Sequence, residues 1–367
     1  MRPIQATIDL AALVGNLAVV RRHAADARVW AVVKADAYGH GLMRLLPALQ
    51  HAEGLALLEL DAALALRQAG YQRPVLMLEG FFAAEELELF AQSKLSAVIH
   101  SRAQLDLLER ARLPAPVDIY VKFNTGMNRL GFDPREAGSV LARLRACPGA
   151  GQLTLMTHFA DADGARGVGA AMDCVSAIEQ AAAALQETLP RSYANSAAIL
   201  RFPETHADWV RPGIMLYGCT PFGDAPVQPA SDFGLKPVMT LKSRIIAVQE
   251  LRAGNRIGYG GTYAAPAEMR VGIVACGYAD GYPRHAPGGP GHGTPVLVNG
   301  NRARTVGRVS MDMLFVDITA MPEAVVDSEV TLWGEGLSAD EVALACGTVS
   351  YEMLCALSRR VPVRVIT

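Results

Sequence analysis

Residues able to carry chemistry stand at the ends of apolar runs. Lys34 closes one such run in AVVKADAYGHG, with Tyr38 and His40 just beyond it. Lys122 and Arg129 share the segment VKFNTGMNRLGF, His158 sits in THFADAD, Ser196 follows Asn195, and Arg211 opens Arg211-Pro212-Gly213-Ile214. A lysine emerging from a buried strand is costly unless it is neutral, paired or covalently used. Ser196 reads as a residue at a helix N-terminus, a natural place for a phosphate. Gly213 would let backbone N–H groups approach an anion. Singly, each residue has an ordinary role: a salt-bridged lysine, a core histidine, a helix cap, a surface ion pair. Jointly, two lysines, two arginines, a histidine and a phosphate-type serine at successive strand ends describe a cofactor site.

The elements that must hold them are legible as a regular beat. Short β-rich runs occur at 29–33, 54–58, 74–78, 96–100, 117–123, 152–157, 192–195 and 209–216. Between them lie segments such as DAALALRQAG, AAEELELFAQ and RAQLDLLERARL, whose apolar residues recur every three or four positions. Alternation of this kind predicts βαβ units and a parallel sheet, and eight repeats in about 200 residues fit a (β/α)8 barrel. A doubly wound open sheet is less favoured, because no Gly-rich dinucleotide fingerprint follows the first strand. An amphipathic helix over 10–22 precedes the barrel. From about residue 233 the texture changes to short alternating strands: VMTLKSRIIAVQEL, RVGIVACGY, TPVLVNGNRARTVG and MLFVDITA, with a hairpin signal at Asn299-Gly300. The expected organisation is an α/β fold, a barrel over 1–232 followed by a mainly β domain over 233–367, with PGGPGHGTP at 287–295 as an exposed loop.

Composition narrows the function class. The 367 residues are 51% hydrophobic and 19% charged, with Lys+Arg 34 against Asp+Glu 36, so a sizeable core is available and no basic surface for nucleic acid or anionic membrane is expected. No uncharged apolar run reaches membrane-spanning length, and the first residues, MRPIQATIDL, lack the apolar core of a signal peptide. Six cysteines without paired spacing argue against a zinc site or a disulfide framework. A cytoplasmic enzyme without a metal is expected.

Eight segments together resemble the alanine racemases, pyridoxal phosphate-dependent enzymes of fold type III, over essentially the whole chain. They are AVVKADAYGHG (31–41), VKFNTGMNRLGF (121–132), THFADAD (157–163), ANSAA (194–198), VRPGIMLYG (210–218), IGYGGTY (257–263), GYADGYPR (277–284) and GRVSMD (307–312). The resemblance implies that Lys34 binds pyridoxal 5'-phosphate covalently and acts as one acid/base. It implies that Tyr259 is the opposing base, lent by the other subunit of a homodimer with shared sites. Tyr38, Ser196, Tyr351 and the backbone of Gly213 and Ile214 would hold the phosphate, His158 would belong to the cofactor's surroundings, and Arg211 would face the pyridine nitrogen. Arg129 and the Met311 N–H from the partner chain would position the substrate carboxylate. Lys122 matches a lysine that is carbamylated in many members, and Tyr278 and Asp312 match residues lining the substrate approach. The chain departs from some members at Met156, Ser192, Ser310 and Asn124, where tyrosine, histidine, cysteine and aspartate occur.

The implied reaction is interconversion of L- and D-alanine, serving D-alanine supply for peptidoglycan or alanine catabolism. A lysine and a tyrosine on opposite faces of a planar carbanion suit a two-base racemisation. Both side chains ordinarily titrate near ~10, so a cationic setting favours them as bases near neutrality. Arg211 and His158 are the expected sources of charge for the phenol. Another fold-type III enzyme, a broad-specificity racemase or a decarboxylase, is the alternative, and a non-catalytic pyridoxal phosphate carrier a more distant one. Arg211 in place of an acidic residue disfavours a decarboxylase, and Tyr259 disfavours a carrier.

Overall fold

The alternation of apolar strands and amphipathic helices closes into a barrel. The computed structural model describes residues 2–186, 188–223, 228–288 and 292–367. With β1 assigned to Gln5–Asp9, the barrel strands are β2 (Arg28–Val32), β3 (Gly54–Leu57), β4 (Val75–Met77), β5 (Leu95–Ile99), β6 (Val117–Lys122), β7 (Ala150–Met156), β8 (Arg191–Asn195) and β9 (Trp209–Arg211). They pair in parallel in chain order, and β9 returns to β2 through the register Arg28↔Trp209. The periodic segments fold as helices Leu60–Gln68, Ala84–Gln92 and Arg102–Arg110 between consecutive strands. Trp30 fills the interior at the closure, stacked on Trp209 at 4.4 Å and donating its indole N–H to the Tyr120 hydroxyl at 3.0 Å. Gly54 on the neighbouring strand makes this possible, since a Cβ there would lie 2.2 Å from the Trp30 ring.

The last barrel strand is shorter than the run 209–216. Pro212 has no N–H to donate, and a 3₁₀ turn, Ile214–Tyr217, replaces the rest of the strand.

The β-rich half forms a second sheet. Its remaining strands are β10 (Met239–Leu251), β11 (Arg256–Ile257), β12 (Tyr263–Ala264), β13 (Met269–Val274), β14 (Pro295–Val298), β15 (Asn301–Val306), β16 (Leu314–Asp317), β17 (Glu329–Trp333) and β18 (Val363–Ile366). The order is β13-β16-β15-β14-β17-β10-β1-β18, and β10 also pairs with β13, so six strands return on themselves. The turn between β14 and β15 is Asn299-Gly300, with φ 48 and 82, the doubly left-handed geometry that suits a tight hairpin. Two helices, Ala339–Ala345 and Ser350–Cys355, complete this half. The loop expected over 287–295 is only in part a surface feature. Thr294 is fully buried, donating its N–H to the Thr305 hydroxyl, while 289–291 lie outside the described residues.

Strand β1 has no counterpart in the sequence reading, which begins with the helix. That helix, α1 (Leu10–His23), follows β1 directly and is capped by Asp9, whose carboxylate accepts the Ala12 N–H at 3.0 Å. Contacts divide the chain into two compact units, Leu17–Ala37 with Leu46–Met215, and Met1–Asn16 with Tyr38–Leu45 and Leu216–Thr367. The chain thus changes unit at several points rather than once. Among the described residues no helix is long and apolar enough to cross a membrane, and all six cysteines are free.

Asn16 ties the second unit internally. Fully buried, it donates to the carbonyls of Leu216 (2.9 Å) and Lys236 (2.8 Å) and accepts the Lys236 N–H (2.8 Å). Asn16→Ala would leave the buried Leu216 carbonyl without this partner and expose the part-buried Lys236 carbonyl and N–H to water, a loss of about 2 kcal/mol. Chemical denaturation should show it as a lowered unfolding midpoint.

Candidate active site at the barrel rim

The barrel unit gathers its chemistry at the C-terminal ends of the strands, where barrels of this kind carry their sites. Lys34 lies two residues past β2, Lys122 ends β6, His158 follows β7, Ser196 follows β8 and Arg211 ends β9. Arg129 reaches in from a loop built by Asn124. The Asn124 carboxamide oxygen accepts the N–H groups of Gly126 (3.1 Å) and Asn128 (2.9 Å), while its NH2 donates to Asn128 Oδ1. An aspartate could make the first two bonds but not the third. Lys122, Asn124, Thr125, Met127, Arg129 and His158 line one depression.

Positive charge dominates this rim. Lys122 is 7% exposed. Its ammonium is disfavoured first by burial and then by the charges of Arg211, Arg129 and Lys34, which pull the pKa from 10.5 down to about 8. Glu79 acts in the opposite sense, and least. The same burial and the same cations hold His158 well below the usual imidazole range. His158 is therefore neutral near pH 7 and cannot supply the positive charge expected of it. It can only offer a hydrogen bond.

Arg211 is immobilised almost entirely by neutral oxygens. Nη1 donates to the Ser192 carbonyl (2.6 Å) and hydroxyl (2.8 Å), and Nη2 to the carbonyls of Thr157 (2.6 Å) and Tyr193 (3.1 Å). Its Nε–H has no partner among the described residues. Burial pulls the guanidinium down to about 10, which leaves it charged at neutrality. Ser192, where some members have histidine, is thus a direct partner of Arg211. Met156, paired with Lys122 across β6 and β7, is buried.

Ser196 opens the short helix Ser196–Arg201, but Asn195 is its cap, accepting the Ala198 N–H at 3.0 Å. The Ser196 hydroxyl is left to accept the Gly213 N–H at 2.8 Å. Gly213 and Ile214 lie buried beyond Arg211.

The backbone after Lys34 is strained. Ala35, Asp36, Ala37 and Tyr38 have φ of 53, 50, 55 and 52, a turn of left-handed helix in residues with side chains. Each such residue costs roughly 1–2 kcal/mol. The Ala37 N–H bonds the Val33 carbonyl at 2.9 Å, and the Ala35 N–H is held by the Glu59 carboxylate at 3.0 Å. Glu59 gives no sign of this use in the sequence, where it is a lone carboxylate after a strand.

The other expected residues belong to the second unit. Tyr38 stacks on Tyr217 at 4.7 Å and lies 6.1 Å from the Tyr351 ring, and burial pushes its phenol pKa up. Tyr259 stands at the tip of the β11/β12 hairpin, 70% exposed. Glycines 258, 260 and 261 around it take φ of 67, 72 and 53, a path that residues with a Cβ rarely follow. The hairpin is anchored by the buried cluster of Ile257, Tyr263, Ala265, Met269, Val271 and Val306. Tyr278 and Met311 are exposed neighbours, joined by the bonds Tyr278 N–H to Ser310 O (3.1 Å) and Ala279 N–H to Met311 O (3.0 Å). Asp312 follows Met311 directly.

The Alanine racemase, N-terminal domain family matches residues 8–221, and the Alanine racemase, C-terminal domain family matches 238–365. The chain belongs to the alanine racemase family. The alanine racemase of Burkholderia mallei is 54% identical over 363 residues, covering 99% of both chains. The catabolic alanine racemase of Salmonella typhimurium is 55% identical over 361 residues, covering 98% of both. Among solved structures, the biosynthetic alanine racemase of Pseudomonas aeruginosa superposes with a TM-score of 0.93 at 45% identity over 100% of both chains. That of Bartonella henselae, described with covalently bound pyridoxal phosphate, gives a TM-score of 0.87 at 26% identity, again over 100% of both. The activity is accordingly an isomerase activity, alanine racemisation, on a barrel followed by a mainly β half.

The Lys122 charge has a measurable consequence. Its folded pKa lies below its unfolded value, so the protonated amine subtracts stability below pH ~8, and the penalty disappears as pH rises past 10.5. In bicarbonate-free buffer Lys122→Met should stabilise the racemase at pH 7 by about 3 kcal/mol. Denaturation midpoints at several pH values should show that advantage shrinking towards pH 11.

Proposed function

We propose that this chain racemises alanine by a two-base mechanism, with Lys34 on one face of the substrate and Tyr259 of a second copy on the other. The observation that carries the reading is the rim itself: Lys34, Lys122, Arg129 and Arg211 converge there with a buried Ser196 hydroxyl and the Gly213 N–H. That donor set fits an anionic pyridoxal 5'-phosphate. Lys34 would attach it, Ser196 and the Gly213 and Ile214 N–H groups would meet the phosphate, and the Nε–H of Arg211 would face the ring nitrogen. Tyr38 and Tyr351 are assigned to the phosphate by the resemblance alone. When bound, the cofactor supplies the electron sink that makes the alanine Cα proton removable.

Each residue then has a defined task. One base removes the Cα proton from its face, and the conjugate acid of the other returns a proton to the opposite face, so L and D forms interchange without net proton consumption. Arg129 and the Met311 N–H lent by the second copy orient the carboxylate. The lowered pKa of Lys122 raises the share of neutral amine, the form that can take up CO2 as a carbamate, releasing a proton and placing an anion beside Arg129. Arg211 keeps its own proton, since a guanidinium is too basic to surrender it at neutrality. Facing a ring nitrogen, Arg211 would thus leave it unprotonated, making the bound cofactor a weaker electron sink that would favour return of the proton to Cα over transamination.

Exposure of Tyr259 at a hairpin tip supports its donation to a partner, and with it a homodimer whose sites are shared. The polar balance of charge supports a cytoplasmic protein that binds neither nucleic acid nor membrane. Cell-wall D-alanine supply and alanine catabolism are both compatible with this chemistry.

Borohydride reduction followed by peptide mapping should place the pyridoxyl group on Lys34, and a chiral assay should show alanine interconverting. A label elsewhere, or no interconversion, would overturn the reading. Tyr259→Phe should retain the cofactor and lose racemisation in both directions, while solvent-deuterium exchange at Cα survives better for the enantiomer whose proton faces Lys34. Arg211→Glu should raise the transamination side reaction, measured as pyruvate formed per racemisation event.

A further inference from the structure

Asp280, in the second unit, accepts four hydrogen bonds and takes no part in the proposed proton transfers. Its side chain is fully buried. Oδ1 accepts from Arg2 Nη1 at 2.7 Å and from Arg360 Nε at 2.8 Å, while Oδ2 accepts from Arg2 Nη2 at 3.1 Å and from the Gly277 N–H at 2.9 Å. Both arginines then reach past Asp280 to one residue. Arg2 Nη2 donates to the Asp312 carbonyl at 2.7 Å, and Arg360 Nη2 donates to Asp312 Oδ1 at 2.7 Å. Two guanidinium forks thus bridge a buried carboxylate to an exposed loop, a use of the planar geometry that lysine cannot reproduce.

The loop they brace is 310–313. Ser310 donates its N–H to the Met313 carbonyl at 2.9 Å, its carbonyl accepts from Tyr278, and the Met311 carbonyl accepts from Ala279. Asp280 itself ends the short turn Tyr278–Asp280 that supplies those donors. The Met311 N–H, by contrast, has no partner among the described residues, and its side chain is 52% exposed. The neighbouring groups are pinned while this one donor stays available, which is the arrangement of a preorganised backbone contact.

We propose that Asp280, Arg2 and Arg360 are positioning residues that hold the Met311 N–H and the Tyr278 ring in register for the substrate carboxylate in the other subunit's site. The inference rests on the shared-site reading above and adds the device that sets its geometry. It also fixes the place of action: a defect in this cluster is felt in the opposite protomer, not in the one that carries it.

The test is steady-state kinetics on the cofactor-loaded enzyme. Arg360→Gln should raise KM for both enantiomers about tenfold, the loss expected when a charged hydrogen-bond partner is removed, with kcat within about twofold. Arg360→Lys should not rescue it, because one ammonium cannot span Asp280 and Asp312. Arg2→Ala, which leaves Asp280 paired with Arg360, should raise KM about threefold, a milder loss of one fork, and serves if the first variant does not fold.

Mixed dimers of Arg360→Gln with Lys34→Ala provide the discriminating readout. Their one working site joins Lys34 of the first chain to the loop of the second, whose Arg360 is intact, so its KM should return to the wild-type value. A wild-type KM in both single-site variants would overturn the proposal, as would a raised KM that persists in the mixed dimer. Wild-type interconversion of alanine and its loss in Lys34→Ala test the underlying reading separately.

Discussion

Like charges gathered around two buried cations, Lys122 and Arg211, constrain much of the rim of this barrel. Lys122 and Arg211 are buried beside the half-buried Lys34 and the exposed Arg129, and the structure shows how the buried groups respond. Lys122 gives way, its pKa falling to about 8. His158 gives way completely and is neutral. Arg211 does not, because a guanidinium resists deprotonation and four neutral oxygens surround its two terminal nitrogens. The surroundings are therefore prepared for negative charge, and the proposed phosphate, carboxylate and carbamate are groups that would relieve them.

Rigidity and strain are divided between the two units in a way that suits this purpose. In the barrel unit a left-handed turn follows Lys34 at once, so the lysine leaves its strand on a path fixed by backbone bonds and by Glu59. In the other unit Tyr259 depends on three glycines with positive φ, and the loop of Met311 depends on Asp280. Each group proposed to act is thus placed by a local device that tolerates few substitutions. The folding energy that supports these devices comes from elsewhere, from the Trp30 packing of the barrel and the apolar cluster beneath the hairpin.

Much of this was legible in the residues. Eight apolar runs marked the barrel, and the residues following them were the ones brought to its rim. Asn299-Gly300 announced its hairpin. What escaped did so for physical reasons. Strand β1 is five residues long, and its partners begin more than 230 positions later at Met239 and Val363, beyond any local pattern. The run 209–216 looked like one strand because its apolar character continues past Pro212, which ends the ladder. Asn195 and Ser196 are both plausible caps by composition, and only geometry shows that Asn195 caps the helix while the Ser196 hydroxyl meets the Gly213 N–H. His158 was expected to carry charge because a motif records residue type but not desolvation. Asp280 lay in plain view in GYADGYPR, yet its two arginine partners stand at residues 2 and 360.

The position of β1 between β10 and β18 bears on how the chain is made. It lies antiparallel to β10 and parallel to β18, so a strand translated before the barrel has neighbours translated only after it. All eight barrel strands have been synthesised by Arg211, whereas the sheet that contains Gln5–Asp9 cannot be finished before Ile366 emerges. At ordinary elongation rates that wait is on the order of tens of seconds. During it Gln5–Asp9 must stay available, unpaired, for a late-arriving partner.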